Sequence, residues 1–254
     1  LDIILMEEPE NHLSFSTLRK MISEISTQQD NSQIIVATHN NMIATRLNLN
    51  NVLWITEDGV KTLASVDKEV AEFFVRADDN AFLQLLLSKR VFLVEGATEF
   101  LLLPEFYKQI TGCTIEQDGI SVISCNGISY KRYLAIAKAT DKRIAVVTDN
   151  DEKANKITEA RNFNQSNPLQ HIFMGATTEE WTWEACIYKE NKAVLDGIIT
   201  VQAGAEYKFN GKDYGVVLGK MLHHKVDVAY QMLTSDITFV VPQYIKEAIG
   251  WLRE

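Results

Sequence analysis

The sequence predicts an α/β protein in which two successive stretches of alternating strands and helices precede a mainly helical segment. Three observations support this class. Short apolar runs such as "LDIILM" and "SQIIVATHN" alternate with stretches whose apolar residues recur at helical spacing. The alternation resumes at residue 91, after a connector of mixed charge. With 254 residues, 46% of them apolar, the chain can bury a sizeable core.

Residues 1–66 form the first α/β stretch and are predicted to be the back half of a domain. "LDIILM" predicts a buried parallel strand, and "SFSTLRKMISEIST" predicts a helix capped by Ser14 or Ser16. "SQIIVATHN" and "NVLWIT" predict two further strands. Because the chain opens inside an apolar run and lacks an initiator Met, we expect it to be a piece of a longer protein.

A helical connector over residues 67–90 leads into the second α/β stretch, residues 91–187. Its strands are predicted at "VFLV", "GISVIS", "RIAVVT" and "HIFM", and two of its helices at about residues 98–110 and 130–140. Residues 188–254 are predicted to be a helical C-terminal element, interrupted by "YKFNGKDYG".

Composition excludes several functional classes. The 34 acidic and 25 basic residues give a net charge of −9, which argues against a protein that coats nucleic acid through a general positive field. A phosphate partner must therefore be held locally or through metal ions. No apolar run approaches the roughly 20 residues of a membrane helix. Three widely spaced cysteines fit neither a disulfide framework nor a zinc site, so we interpret them as reduced thiols of a cytoplasmic protein.

Polar side chains follow three of the predicted strands. "VFLVEG" ends in Glu95, "SVISCNG" in Asn126 and Gly127, and "IAVVTDND" in Asp149 and Asp151. In open parallel sheets, ligands bind beyond the carboxyl ends of the strands. If these strands are neighbours, the three acids converge, and such a cluster needs a cation. Oxygen ligands alone select Mg²⁺ or Mn²⁺.

Glu99 adds a fourth carboxylate, because it falls in the first turn of the helix that follows Glu95. It could serve a second ion, and two ions about 4 Å apart can polarise a phosphodiester and stabilise both the attacking and the leaving oxygen. The alternative is that each acid is a helix cap or a solvated strand end, since acids are common in first turns. The joint occurrence of both acidic patterns after apolar strands favours the metal site.

The strings "LVEGATE", "ISCNG" and "VVTDND", in this order and spacing, resemble the Toprim fold that topoisomerases, primases and certain nucleases share. The resemblance covers about residues 89–187. It implies a mostly parallel sheet flanked by helices, in which Glu95, Asp149 and Asp151 hold catalytic metal.

The preceding string "IILMEEPENHLS" is similar to the Walker B and D-loop region of ABC-type ATPases. The resemblance places Glu7 at the Mg²⁺-associated acid, where Asp is usual, and Glu8 at the water-activating base. "IIVATHN" resembles the switch-histidine strand, which would bring His39 near the γ-phosphate; the alternative is a structural histidine.

The phosphate-binding pattern G-x-x-x-x-G-K-[ST] has no match in the sequence. The nearest string, "GVVLGKM", is one residue short and continues with Met221. We therefore expect no ATP hydrolysis from this chain by itself.

A partial ABC-type ATPase lobe that runs into a Toprim domain resembles the overcoming-lysogenisation-defect (OLD) nuclease family, which includes nuclease subunits of bacterial anti-phage systems. "TEEWTWEACI" resembles the family's later acidic motif, which implies Glu184, and less directly Glu180, as metal ligands. "HHKVDVAYQML" and "VPQYIKEAIGWL" resemble its C-terminal element, which puts Lys225 where a cation stabilises charge on the phosphate. The alternative for Lys225 is a solvent-exposed helix lysine.

The resemblance implies a DNA endonuclease or nickase that uses two Mg²⁺ or Mn²⁺ ions and is regulated by ATP in the full-length protein. It also implies a homo-oligomer formed through the ATPase domain, and a helicase or another defence component as a further partner. No membrane partner is expected.

The segment "SYKRYLAIAKATDKR" is locally basic. It offers candidate contacts to a DNA backbone beside the metal site at Lys131, Arg132, Lys138, Lys142 and Arg143. The alternative is a solvated helix face.

Two other functions compete with the nuclease. A topoisomerase or primase would need a nucleophilic tyrosine or a nucleotide site that is not visible in the sequence. An assembly and sensing module would dimerise through the ATPase part and the helix "KEVAEFFVRA", and its Toprim acids would bind structural Mg²⁺. Replacing Glu95 by Ala distinguishes the nuclease from the assembly module. Loss of cleavage with assembly intact favours the enzyme, and loss of assembly favours the module.

Overall fold

The computed structural model describes residues 3–27, 32–47, 51–56, 59–62, 66–77, 81–202, 204 and 206–254. In chain order its elements are β1 (Ile3–Glu7), α1 (Phe15–Thr27), β2 (Gln33–Ala37), α2 (Asn41–Arg46), β3 (Leu53–Thr56), β4 (Gly59–Thr62), α3 (Lys68–Ala77), α4 (Ala81–Leu87), β5 (Arg90–Val94), α5 (Ala97–Thr111), β6 (Ile120–Ser124), α6 (Tyr130–Ala139), β7 (Arg143–Val147), α7 (Ala154–Ser166), β8 (Gln170–Phe173), α8 (Trp183–Ile198), β9 (Lys208–Phe209), β10 (Lys212–Asp213), α9 (Val216–His223), α10 (Lys225–Leu233) and α11 (Gln243–Arg253).

The chain divides into two compact units. The first unit comprises residues 1–87 and 131–141, and the second comprises residues 88–130 and 142–254. Helix α6 groups with the first unit although its neighbours in sequence belong to the second. None of the helices within the described ranges is both long and apolar enough to cross a membrane.

In the first unit, β1 and β2 pair in parallel, with Glu7 opposite Ala37. Leu18 and Ile22 of α1 pack with Met42 and Ile43 of α2. The parallel pairing of these strands was predicted correctly, but their burial was not: Ile3 and Leu5 are 60% and 73% exposed. The reason is that β1 and β2 form a two-stranded sheet among the described residues, and two strands leave much of their surface uncovered.

The strand predicted at "NVLWIT" exists, but its pairing differs from a parallel α/β sheet. As β3 it pairs antiparallel with β4, so that Leu53 faces Thr62 and Thr56 faces Gly59. The intervening residues are too few for the helical crossover that a parallel pair needs. Within residues 67–90, which were predicted to be a helical connector, the chain forms α3 and α4.

The helix "KEVAEFFVRA", which the assembly hypothesis assigns to a dimer interface, makes contacts within the first unit. As α3, it buries Phe74 completely, edge-on against Tyr133 of α6. The guanidinium of Arg132 lies 3.6 Å from the ring centroid of Phe73. Both aromatic side chains are therefore used within the first unit.

The second unit is built on a four-stranded sheet in the order β6-β5-β7-β8, and every pair is parallel. This confirms the predicted α/β class and the mostly parallel sheet flanked by helices. Val94 pairs with Ser124 on one side and with Val147 on the other. The residues that follow β5 and β7 consequently leave the sheet side by side at its carboxyl edge.

One hydrophobic core joins the sheet to the helical C-terminal element. It contains Phe92 and Val94 of β5, Ala145 and Val147 of β7, Phe106 of α5, Trp183 of α8, and Ile245 and Ile249 of α11. The prediction of a helical C-terminal element is confirmed by α8 to α11, and "YKFNGKDYG" forms the β9–β10 hairpin. Because α8 and α10 share this core with β5 and β7, their first residues are fixed against the sheet edge.

Candidate active site and metal centre

Glu95 and Asp149 meet at the carboxyl edge of the sheet. The hydroxyl of Thr148 donates to Glu95 Oε2 at 2.8 Å, and the backbone N–H of Asp149 donates to the same oxygen at 3.2 Å. Both contacts follow from the register of β5 and β7, which ends these strands level with each other. Adjacent parallel strands thus place these two acids together, as their positions in the sequence led us to expect.

Asp149 is held from its other side by the start of helix α8. Its Oδ2 accepts a hydrogen bond from the Thr182 hydroxyl at 2.7 Å, and its Oδ1 accepts one from the backbone N–H of Trp183 at 2.9 Å. The pKa of Asp149 is nevertheless raised to about 7, chiefly by burial and then by the nearby charge of Glu184, against the opposing effect of the Thr182 bond.

Glu184 and Lys225 form an ion pair beside Asp149. The Glu184 side chain is 3% exposed, and its Oε2 lies 2.9 Å from Lys225 Nζ. The same oxygen lies 2.7 Å from the Thr182 hydroxyl, which also contacts Asp149. A hydroxyl carries one hydrogen, so two such contacts with carboxylates require either a proton on one acid or two repelling oxygens. Both outcomes show that negative charge is in excess here.

Glu99 contributes the fourth carboxylate, from the first turn of α5. Glu99 is 6% exposed. The pKa of Glu99 is raised to about 8, chiefly by burial and with a contribution from the charges of Asp149 and Glu184, while a backbone hydrogen bond and Lys225 oppose the rise. We call Glu95, Glu99, Asp149 and Glu184 the acidic edge. Lys225 is the cation paired with it.

The acidic edge fits a divalent cation by its donor set. All its ligand atoms are carboxylate oxygens, and Mg²⁺ and Mn²⁺ prefer such ligands. Glu99 and Glu184 are buried. The carboxylates do not yet surround a common point: over the described residues, three acidic or imidazole ligand atoms lie within 4.8 Å of one another only at Glu8, Glu10 and His39. Thr182 and Lys225 hold Asp149 and Glu184 instead. An ion would therefore bind by replacing the contacts of Thr182 and Lys225 with these carboxylates. It would also displace a proton held by one of the acids.

In the absence of divalent ions, Glu99→Gln is expected to stabilise the protein increasingly as the pH rises. The unfolded chain releases the Glu99 proton near pH 4.5, whereas the folded chain keeps it to about pH 8. The folded state binds more protons in this window, so wild-type stability falls as the pH rises through it. Melting temperatures in EDTA at pH 5, 6, 7 and 8 should show a gap in favour of Glu99→Gln that widens with pH.

The control for this measurement is Glu105→Gln, which removes an exposed glutamate from the same helix. It should leave the pH dependence of the melting temperature as in wild type. A Glu99→Gln variant whose melting curve parallels wild type from pH 5 to pH 8 would contradict the burial of a charged Glu99.

Two predicted ligands have other partners in the structure. Asp151 Oδ2 lies 2.6 Å from Lys156 Nζ and 3.8 Å from Lys153 Nζ. Glu180 Oε2 accepts hydrogen bonds from the backbone N–H groups of Ala176 and Thr177, and its Oε1 pairs with Lys189 at 2.9 Å. These contacts occupy the carboxylates of Asp151 and Glu180, and those of Glu180 close the loop after β8.

Asn150 is a site residue that sequence reasoning missed. It is completely buried, and its amide nitrogen donates to three backbone carbonyls, those of Gly175, Thr177 and Glu180, at 2.9–3.1 Å. Its Oδ1 accepts from the Glu152 N–H at 3.0 Å. Asn150 therefore ties the loop after β7 to the loop after β8. In the sequence, Asn150 lies between Asp149 and Asp151, and the two acids were selected as site candidates while Asn150 was not.

Asn150→Ala is expected to destabilise the protein by about 2–4 kcal/mol, because one buried and two partly buried carbonyls lose their shared donor. Chemical denaturation followed by tryptophan fluorescence should show a lower midpoint with a similar slope. Asn155→Ala, on exposed helix α7, provides the matched control and should change the midpoint little. An Asn150→Ala midpoint equal to wild type would mean that the two loops are held together by other contacts.

Lys156 and Thr182 were missed as well. A cleft of about 250 Å³ lies beside Glu95 and is lined in part by Gly127, Tyr130 and Lys156. Nearby carboxylates, first Asp151 and then Glu95, raise the pKa of Lys156 against the lowering effect of burial.

Thr182 could have been found as the N-cap of α8, since Thr is a favoured residue before a helix start.

The predicted ATPase residues lie at the ends of β1 and β2. Glu7 is the last residue of β1 and is exposed. Glu8 follows with φ 45°, a left-handed conformation that is uncommon outside glycine, and its Oε2 lies 2.5 Å from His39 Nδ1. The hydrogen bond and charge of Glu8 raise the pKa of His39. The parallel register thus brings Glu8 and His39 into contact, and it adds Glu10, which sequence reasoning did not single out.

The prediction of DNA contacts beside the metal site is wrong for Lys142 and Arg143. They stand at the amino end of β7, and the five residues of that strand carry the chain about 16 Å to the acidic edge. Lys142 is 8% exposed and donates to the Ser88 carbonyl, while Arg143 donates to the Trp251 carbonyl and lies over the Trp251 ring. Lys131, Arg132 and Lys138 lie on α6, and they stay predictions.

Comparisons with known proteins bear on the same stretch of chain. Residues 86–151 match the family described as overcoming lysogenization defect protein-like, TOPRIM domain. The Old nuclease of Escherichia phage P2 is 26% identical over 136 residues, which cover 49% of this chain and 23% of that nuclease. The alignment therefore spans less than a quarter of the length of that relative.

Two solved structures are similar as well. One is the C-terminal region of the Burkholderia pseudomallei OLD protein, with a TM-score of 0.47 and 14% identity, covering 66% of this chain and 98% of that one. The other is the C-terminal region of the Xanthomonas campestris pv. campestris OLD protein, with a TM-score of 0.44 and 15% identity, covering 67% and 94%.

Proposed function

We propose that this chain is a metal-dependent DNA endonuclease or nickase, because residues 86–151 match the OLD-like TOPRIM domain family and an Old nuclease is a relative. The family and the relative support a nuclease-type function. The observation that carries the finer proposal is the meeting of Glu95 and Asp149 with the buried acids Glu99 and Glu184 at one sheet edge. Such an arrangement is costly without a cation and useful with one.

The residues divide into two sets. Glu95 and Asp149 would hold one ion, joined by Asp151 once its carboxylate leaves Lys156. Glu99 and Glu184 would hold the second, and Glu180, which is committed to its own loop, is the weakest candidate. When bound, the two ions would supply Lewis-acid polarisation of the phosphodiester and charge for the leaving oxygen.

Lys225 and Thr182 are proposed to act on the same site. Lys225 is held against Glu184 by an ion pair of 2.9 Å, and the surrounding acids keep its pKa raised despite burial. It therefore stays charged at neutral pH and can neutralise a phosphate oxygen that approaches the acidic edge. Thr182 acts as a positioning residue, because its hydroxyl lies 2.7 Å from both Asp149 and Glu184.

The first unit is proposed to belong to an ATP-hydrolysing domain that regulates the nuclease in a longer protein. The observation in support is the contact between Glu8 and His39 at the ends of two parallel strands. Glu7 would associate with Mg²⁺, Glu8 would activate water and His39 would sense the γ-phosphate. DNA, a second copy of the chain and other components of an anti-phage defence system are the proposed partners, with ATP and Mg²⁺ or Mn²⁺ as cofactors.

The proposal is tested by incubating the purified chain with supercoiled plasmid and Mn²⁺ or Mg²⁺, with and without EDTA. We expect open-circle or linear DNA with either metal and none with EDTA. Thermal melts with the same ions check the site separately, since binding should raise the melting temperature. A folded chain that shows neither cleavage nor a metal-dependent rise would contradict the proposal. A rise without cleavage would favour the alternative, an assembly module whose Toprim acids bind structural Mg²⁺.

A further inference from the structure

We propose that Glu8, Glu10 and His39 form a binding site for a transition-metal ion, with Zn²⁺ as its representative. Each of the three offers one ligand atom, and these atoms lie within 4.8 Å of one another. The site is separate from the acidic edge, because all three residues belong to the first unit. It also differs from a nucleotide-associated Mg²⁺ site, since one of its ligands is an imidazole nitrogen.

The backbone builds this cluster without any ion. Glu8 N–H donates to the Ala37 carbonyl at 2.8 Å, which fixes the residue after β1 beside the last residue of β2. Glu8 holds a φ of 45° there, and a left-handed conformation at a non-glycine residue costs energy that surrounding contacts must offset. Glu8 and His39 are thereby presented on the same side of the strand ends.

The buried carboxylate of Glu10 is the independent observation that points to a ligand. Its side chain is 7% exposed, and Oε2 is buried with no hydrogen-bond partner among the described residues. Its other oxygen accepts from the Thr38 hydroxyl, which in turn accepts from the Asn40 N–H at 2.9 Å. Thr38 thus orients Glu10, and a buried oxygen without a donor is costly unless a cation contacts it.

The distances suit a small tetrahedral ion. His39 Nδ1 lies 2.5 Å from Glu8 Oε2 and 4.0 Å from Glu10 Oε1, the oxygen of that carboxylate that also accepts from Thr38. Zinc bonds of about 2.1 Å to nitrogen and oxygen place tetrahedral ligand atoms about 3.4 Å apart, between these two values. Small side-chain rotations therefore suffice. Three protein ligands leave a fourth position for water, and His39, with its side chain 74% exposed, leaves that position accessible.

The choice of metal follows from the ligands. An imidazole with two carboxylates binds Zn²⁺ and its first-row neighbours better than Mg²⁺, which prefers oxygen ligands alone. Under the ATPase role proposed above, an ion on Glu8 and His39 would exclude the water that Glu8 activates. Zn²⁺ would then act as an inhibitor of nucleotide hydrolysis, although binding itself does not depend on that role.

The experiment follows the five histidine side chains by NMR during titration of the chain with Zn²⁺ and, separately, Mg²⁺. We expect the His39 resonances to shift with Zn²⁺ and not with Mg²⁺, which distinguishes this site from ion binding at the acidic edge. Zn²⁺ affinity, measured against a competing chelator, should fall at least about tenfold in His39→Ala and in Glu10→Gln.

The matched control is His224→Ala. His224 also stands near a carboxylate, with its Nδ1 3.8 Å from Asp227 Oδ2, but among the described residues this pair belongs to no group of three metal-ligand atoms. This variant should bind Zn²⁺ as wild type does. Zn²⁺ binding that leaves the His39 resonances unmoved, or that survives unchanged in His39→Ala and Glu10→Gln, would overturn the proposal.

Discussion

Asp149→Asn is expected to abolish metal-dependent plasmid cleavage while leaving the fold intact. Removing one carboxylate from the site forfeits several kcal/mol of charge stabilisation, which corresponds to more than about a hundredfold in rate. The fold should survive because the amide retains an oxygen for the Trp183 N–H and matches the shape of the acid. At pH 8 in EDTA the variant should melt at or above the wild-type temperature, because burial raises the Asp149 pKa and its charge is unfavourable there.

Asp236→Asn is the matched control, since Asp236 is exposed and lies in the turn after α10. It should cleave plasmid at the wild-type rate. Asp149→Asn that cleaves DNA normally and still binds Mn²⁺ would remove Asp149 from the site and, with it, the main support for the nuclease proposal.

Lys225→Met should lower both stability and cleavage, for two separable reasons. The Glu184 side chain, 3% exposed, loses the ammonium that lies 2.9 Å from its Oε2. Leaving a buried carboxylate unpaired is expected to cost about 1–3 kcal/mol in EDTA, the lower part of the range being favoured because Lys225 itself is partly exposed. Loss of the ammonium should also slow cleavage by about a hundredfold, if it stabilises charge on the phosphate.

The double variant Lys225→Met with Glu184→Gln separates these effects. Replacing the unpaired carboxylate by an amide should restore the melting temperature, while cleavage should stay low. Rescue of both properties would show that Lys225 only balances the charge of Glu184. The readouts are chemical denaturation in EDTA and the initial rate of plasmid conversion with Mn²⁺.

Sequence reasoning succeeded where one local rule determines position. Strand ends in a parallel sheet meet at one edge, so Glu95 and Asp149 could be placed together from their strands alone. It failed where a basic stretch of sequence extends to the other end of a strand. Lys142 is at the amino end of β7, whereas Asp149 follows its carboxyl end. It also could not foresee the partners of Asp151, because its pairing with Lys156 depends on how the loop enters α7.

The contacts of Asn150 were equally beyond the sequence, since its three carbonyl partners lie 25 to 30 residues away. Burial of β1 was overestimated for a related reason. An apolar run predicts a strand that other elements can cover. How many strands and helices do cover it depends on the assembled sheet, which for β1 has two strands among the described residues.

The position of Asn150 between two aspartates has a consequence for how this loop tolerates change. In a saturation library sorted for protein abundance, substitutions at Asn150 should be depleted, because few other side chains can serve its three carbonyls from a fully buried position. Substitutions at Asp149 and Asp151 should persist in that sort and disappear when the same library is sorted for DNA cleavage. Neighbouring residues of one loop would then be constrained by two different requirements, Asn150 by folding and the two aspartates by DNA cleavage.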